Sequence, residues 1–563
     1  MRSSLKFVFS LALVTVLILT GIVGALTVSA QEECPYQESP MLAAKVAAGE
    51  LPPVCDRLPK NPLVLQGDMM LPLDFVDPVI GVYGGEMIMT LHSGVDMKEP
   101  LFITKNRDPV IVAGNVIESL TWNDDSTEFT FALREGHKWS DGEPMTTEDV
   151  RFAYEDVVKN SLLYTDVPAF LKVGGVPGGE PATLEIVDET TFKFIFAGSY
   201  PAFTYNLVNI GTGYLDIIKP MHFLGKYHID YGNADEIESM VAAEGLEEWY
   251  ELFNQVDLRG WAENSPQAIG FPQLGGWIRM ESPEDRVLVE RNPYYHAVDA
   301  AGNQLPYLDT RLTIPIAWTN PEAAELMMFS GQAHYHWNTD LSKLPLFKEN
   351  EANGNYQTII YPNRDSRMFF LNLTYNNPTW RAVTWDVRFR QAIFLAIDKQ
   401  ELIDDLYYGA AKLPTTEPSD YDPEAANALL DEMGMTERDS DGFRLAPNGE
   451  PFEILIEVGA NAGGYKEQAP FLVDYFKAVG IRTDFWEIDD QLLTERRNGN
   501  EVQAGIMWNT APMWASHGVN PDYIPNQLWG PLWYDWYTSG GAQGEEPPDW
   551  IKELYAIHEH LVS

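Results

Sequence analysis

The sequence predicts a multi-lobed α/β protein exported from the cytoplasm, and three observations carry that reading. At 563 residues the chain is too long for one hydrophobic core, and ordinary domain sizes divide it into three or four. Alternating strand patterns and amphipathic helix patterns follow one another irregularly, without repeats or low-complexity tracts, so the lobes mix both kinds of element. The first 30 residues have the layout of an export signal. Arg2 and Lys6 form a basic start, Phe7 to Leu26 is apolar, and Val28-Ser29-Ala30 offers small residues for cleavage. Cleavage before Gln31 is expected. Retention as a membrane anchor is the alternative, since the run is long enough to span a bilayer but holds Gly21 and Gly24 late in it.

After the signal, an N-terminal arm rich in Pro and short helical pieces carries Cys34 and Cys55. In an exported chain this even pair favours a disulfide; a free-thiol pair or half a zinc shell are the alternatives. Gln31-Glu32-Glu33 precede Cys34, which does not fit a lipid attachment site. A strand-like run begins at Glu86, and a second strand alternates Phe129, Phe131 and Leu133 with Glu128, Thr130 and Ala132. A turn at Ser140-Asp141-Gly142 leads to a capping box, Thr146 and Asp149. The helix it opens has its apolar positions at Val150, Ala153, Tyr154, Val157 and Val158. Residues 190–196 (TTFKFIF) alternate again, and 232–255 are acidic and helical, expected as a surface excursion. Residues 385–409 predict an amphipathic helical pair ending at Gly409. Asp422 and Pro423 are placed as N-cap and first residue of the next helix. Then 451–459 reads as a strand, and 469–489 as helix, Gly480 turn and strand.

The formal net charge of −45 repels nucleic acid and anionic membrane surfaces, so neither is expected as a partner. The sequence has no Gly-x-Ser-x-Gly elbow, phosphate loop, dinucleotide fingerprint or His-Glu-x-x-His. His334 and His336 would share a face on a strand, but nothing nearby completes a metal shell, and neither metal nor cofactor is expected. The carboxylates of residues 133–157 have structural duties: Asp141 makes the turn, Asp149 caps the helix, and Glu143 and Glu148 suit solvent.

That same stretch resembles the signature of the family 5 extracellular solute-binding proteins, the peptide/nickel-type components of ABC importers. The matching residues are Leu133, Arg134, Gly136, Trp139, Ser140, Asp141, Gly142, Thr146, Asp149 and Val150. Residues 38–65, 184–196, 289–309, 387–411, 422–435 and 441–456 are similar to the family as well, so the likeness covers nearly all of the mature chain. The resemblance implies a periplasmic-binding-protein-like type II clamp, with two lobes, an extra domain and a hinge. Its divisions would be 1–30 signal, 31–85 arm, 86–115 and 183–312 lobe I, 116–182 extra domain, and 313–520 lobe II. Residues 521–563 would return toward lobe I and leave it incomplete, because relatives usually continue through a further helix and strand. Only 11 residues separate Gly409 from Tyr421, where many members carry a longer loop toward the pocket.

Function follows from the resemblance: a monomeric, non-enzymatic binding protein, periplasmic or held at the cell surface, that serves an ABC permease and ATPase. The ligand expected is an oligopeptide; the alternative is an oligosaccharide, stacked on aromatic rings. Two other readings use the same cleft, a signalling or chaperone-like receptor and an exported hydrolase such as a glycosidase. Six of the 16 Trp fall at 508, 514, 529, 533, 536 and 550. They divide between core and pocket, and the resemblance draws Trp508, Trp514 and Trp529 to the ligand. Asp522 is the nearest match to the acid that receives a peptide's amino terminus in peptide-binding relatives.

Overall fold

The computed structural model describes residues 34–65, 80–90, 99–107, 110–176, 178–208, 214–259, 266–281, 286–317, 320–336, 340–360, 365–413, 420–460, 465–510 and 523–562. The arm opens with helix α1 (Pro40–Ala47), capped by the Ser39 hydroxyl, and a disulfide joins Cys34 to Cys55 with the Cα atoms 5.9 Å apart. Strand β1 (Leu63–Leu65) leaves the arm, and β2 (Glu86–Met89) begins the first lobe.

β3 (Phe102–Arg107) and β4 (Val110–Gly114) form an antiparallel ribbon. β5 (Ile117–Trp122), β6 (Glu128–Leu133), β7 (Thr183–Ile186) and β8 (Thr191–Ile195) then build one antiparallel sheet in the order β5-β6-β8-β7. The alternation in β6 works as expected. Phe129, Phe131 and Leu133 are buried, and Phe131 stacks on its cross-strand partner Phe192 at 4.8 Å. Helix α2 (Thr147–Arg151) starts at the Thr146/Asp149 capping box and continues as a π-helical segment, Phe152–Val158. Trp139 is fully buried beneath it and donates from Nε1 to Asp149 Oδ2 at 3.2 Å.

Two expectations change here. The boundary placed between residues 182 and 183 falls inside the β5–β8 sheet, and one hydrophobic cluster runs from Leu101 to Leu274. The extra domain therefore includes β7, β8 and the helices after them, because their apolar faces have no other core to cover. Residues 232–255 are likewise no free excursion. In α3 (Ala234–Ala243) Ile237 and Val241 are buried, and in α4 (Trp249–Val256) Phe253 enters the extra domain's core. The buried Lys219–Asp257 ion pair, at 2.6 Å, ties down the end of α4. Acidic composition hid these inward residues.

β9 (Trp277–Glu281), β10 (Val287–Arg291) and β12 (Thr310–Thr313) complete the lobe I sheet in the order β2-β12-β10-β9, with β2 and β12 parallel. Between them β11 (Ala297–Asp299) pairs in parallel with β1, fastening the arm to the lobe.

Lobe II carries β13 (Asp365–Leu371), β14 (Glu453–Gly459), β15 (Arg482–Ile488) and β16 (Ala504–Thr510), ordered β13-β16-β14-β15. β14, β15 and β16 are parallel, and β13 runs against β16. Helices α5 (Val387–Ala396), α6 (Pro423–Glu432) and α7 (Ala469–Ala478) contribute buried residues to the lobe II core, and α6 is capped by Asp422 as expected. The last helices, α8 (Pro531–Thr538) and α9 (Asp549–Val562), correct a third expectation. Instead of returning to lobe I, they bury Trp533, Ile551 and Tyr555 in the lobe II core. Trp533 lies fully buried between Trp385 and Trp550, with ring centres at 5.5 and 5.8 Å.

Candidate functional site

Parallel strands in an open α/β sheet leave their carboxyl ends, with unpaired backbone groups and loops, as the natural crevice for a ligand. In lobe II these ends are Gly459, Ile488 and Thr510. Since β13 is antiparallel to β16, its first residues lie at the same edge, with Asp365 opposite Thr510 and Arg367 opposite Trp508. The Arg367 guanidinium sits over the Tyr465 ring at 4.4 Å. Tyr465 stands just before the short helix that opens α7, where Gln468 Nε2 donates to Tyr407 Oη at 2.6 Å. Burial pushes the Tyr407 hydroxyl up to about 12, against the opposing pull of Arg367. The phenol therefore stays protonated at any physiological pH. Aromatic faces, a guanidinium, an amide and a phenol together offer stacking surface and hydrogen bonds.

In lobe I, β2 ends at Met89, and chain segments meet at Thr90 just beyond it. Ile314 N–H donates to Met89 O, Ala317 N–H to Thr90 O, and Thr90 Oγ1 lies 2.7 Å from His336 Nδ1. The Ile88 N–H donates to His334 Nδ1 at 2.9 Å. These histidines hold backbone and hydroxyl groups, and among the described residues no three metal-ligating side chains cluster. Glu99 follows in the chain. Its Oε1 accepts from Asn115 Nδ2 at 2.7 Å and from the Tyr295 hydroxyl at 3.3 Å.

A cavity of about 570 Å³ opens between the extra domain and lobe II. Val173, Gly179, Glu180 and Gly198 line one side, and Ala556, Glu559 and His560 of α9 the other.

Of the residues singled out from sequence, Trp508 pairs with Arg367 in the β13–β16 ladder. Trp514 and Asp522 lie outside the described residues. Trp529 is half-buried against lobe II's apolar clusters, and its carbonyl accepts the Leu373 N–H at 3.0 Å. Sequence reasoning passed over Arg367, Tyr407, Tyr465, Gln468 and Glu99. Arg367 did leave a signal, a cation directly before the apolar run Met368-Phe369-Phe370-Leu371. The others are brought in by distant segments and left none.

Residues 112–529 match the family model described as bacterial extracellular solute-binding proteins, family 5 Middle. The chain is 25% identical to the periplasmic alpha-galactoside-binding protein of Rhizobium meliloti, over 94% of this chain and 78% of that one. A solved structure of the oligopeptide-binding protein OppA superposes with a TM-score of 0.62 at 26% identity, covering 94% of this chain and 86% of OppA. The periplasmic binding protein MelB of Agrobacterium fabrum C58, solved with stachyose, superposes with a TM-score of 0.67. At 22% identity over 94% of this chain and 81% of MelB, it speaks for the fold alone.

The chain belongs to the family 5 bacterial extracellular solute-binding proteins, with their type II clamp fold. It is a solute-binding protein of an ABC transporter, and that family's members are binding proteins rather than enzymes. Its relatives are periplasmic or extracellular and bind small ligands, which implies a permease and an ATPase as partners. Among the described residues, no helix is long and apolar enough to cross a membrane.

Proposed function

We propose that this protein captures an uncharged oligosaccharide of the α-galactoside class in the crevice between its lobes and delivers it to a membrane permease. The observation that carries this reading is the wall at the carboxyl edge of the lobe II sheet. There Arg367 lies over Tyr465, and Tyr407 is held protonated beside Gln468. A sugar presents apolar ring faces and many hydroxyls, and such a wall serves both. Similarity to an alpha-galactoside-binding protein over 94% of the chain supports the same choice. Trp508, Trp514 and Trp529 are assigned to the same pocket as stacking residues. Closure about the segments that meet at Thr90 would enclose the ligand.

An oligopeptide is the second reading, favoured by the likeness to OppA, with Asp522 as the group that would receive the peptide's amino terminus. Calorimetric titration with raffinose and stachyose, against tri- to pentapeptides, separates the two. Saturable binding of the α-galactosides is expected in the micromolar range, about −8 kcal/mol. Saturable binding of peptides with silence toward both sugars overturns the proposal. Hydrolysis of either sugar during incubation would return the protein to the enzymes.

A further inference from the structure

His137 and His296 meet where three parts of the chain join. His137 belongs to the extra domain, His296 lies in lobe I between β10 and β11, and the arm holds both segments. Lys60 N–H donates to Glu135 O, Leu63 N–H to His296 O, and Arg134 Nη1 to Asn61 O at 2.6 Å. Directly after these contacts β1 pairs with β11. Residues 60–63 therefore strap the two histidine-bearing segments together.

Both imidazoles are fully buried, with ring centres 4.7 Å apart. Asn115 Nδ2 donates to Glu99 Oε1 and to Pro100 O, each at 2.7 Å, which turns Asn115 Oδ1 toward His296 Nε2 at 2.9 Å. An amide oxygen only accepts, so His296 carries its proton on Nε2 and its Nδ1 is bare. That Nδ1 and both ring nitrogens of His137 are buried without a hydrogen-bond partner. An imidazolium donates from both nitrogens. A proton added to either ring would bury a cation whose new N–H nothing accepts, beside a second imidazole and within reach of the Arg134 charge. We propose that the pair is an acid-sensitive fastener: protonation of either imidazole parts the extra domain from lobe I and lifts residues 60–63, while lobe II stays folded.

The charged groups around the pair are engaged elsewhere. Glu118 faces Arg134, and Glu99 accepts from Asn115 and the Tyr295 hydroxyl. Glu135 pairs with Lys60, and Lys138 Nζ donates to Asp56 O. The Tyr295 ring lies 4.9 Å from His296, and burial holds its hydroxyl protonated. The electrostatics agree with the geometry. Burial, reinforced by Arg134, brings His137 down to about 3; burial, His137 and Arg134 together pull His296 well below its ordinary value. In an opened junction each ring regains a value near 6.5. The closed form thus keeps its full advantage above about pH 6.5 and loses it as pH falls toward 3, by about tenfold per unit for each ring.

Hydrogen exchange of the full-length protein tests this without any ligand, so the result is independent of the oligosaccharide reading. Protection is read on peptic fragments at pH 7 and 4.5, after correction for the intrinsic exchange rate. Amides of residues 60–63 and 137–145 should open at least about a hundredfold more often at pH 4.5, while β14 and β16 keep their protection. His137→Phe removes one titrating ring and should make that rise at least about tenfold smaller. Should this variant not fold, His137→Gln takes its place with the same expectation. Unchanged protection of residues 60–63 at pH 4.5 overturns the proposal, as does a loss shared equally by β14 and β16. An equal rise in wild type and variant overturns it too, because the strap would then answer to some other group.

Discussion

Asp149 and Glu99 are both carboxyls raised by burial, in neighbouring parts of the molecule, and their surroundings differ in kind. Asp149 Oδ2 accepts from Trp139 Nε1 and the Thr146 N–H, and Oδ1 accepts from the Met221 N–H at 3.0 Å. Every lone-pair direction that matters is occupied by donors from the protein, as a structural carboxylate requires. Glu99 receives its two side-chain donors, Asn115 Nδ2 and the Tyr295 hydroxyl, on one oxygen. Where donors of the protein hold both oxygens, as at Asp149, the carboxyl serves as scaffold.

The contrast breaks most directly at Trp139. Trp139→Ala should lower unfolding stability by about 3–5 kcal/mol through the cavity it leaves, with the affinity of the folded fraction unchanged. Denaturant melts paired with a stachyose titration check both halves. Lost binding at an unchanged melting midpoint would move the Asp149 region to the ligand side.

The next largest effect is expected from pH. His137 and His296 lie with ring centres 4.7 Å apart, and burial, reinforced by Arg134, brings His137 down to about 3. An unfolded imidazole titrates near 6.5, so below that pH the unfolded chain binds protons that the native one refuses. Stability should therefore fall as pH drops from about 6.5 toward 3, by roughly 3 kcal/mol from His137 at pH 4. His137→Phe should flatten that slope in acid denaturation curves. An unaltered slope would show that the pair is not held neutral.

The Cys34–Cys55 link touches neither carboxyl and serves as a control. Its reduction should cost about 3 kcal/mol in the chain-entropy picture and leave ligand affinity alone. Two free thiols in non-reducing peptide maps would remove the link itself. The smallest effect is assigned to the open side: Arg367→Ala should weaken stachyose binding by about 1–2 kcal/mol while changing stability by less than about 1 kcal/mol. A large stability loss without an affinity change would make the Arg367–Tyr465 pair scaffold like Trp139.

The local chain alone determined much of this protein. Short-range periodicity and capping chemistry act over a few residues, so β6, the Thr146/Asp149 box, the Asp422 cap and the α7–Gly480–β15 unit were legible directly. The unbroken run from Leu133 to Val150 was specific enough to indicate the family. Contacts between distant segments decided the rest. The extra domain's limits depend on β6 pairing with β8, some 60 residues away, and the fate of α8 and α9 on where Trp533 and Tyr555 find a core. Glu99 was invisible among the chain's 83 acidic residues, because its meaning comes from Asn115 and Tyr295 converging on one oxygen. A pattern along a chain records which faces are apolar; it does not record which distant groups will meet, and a binding site is made of such meetings.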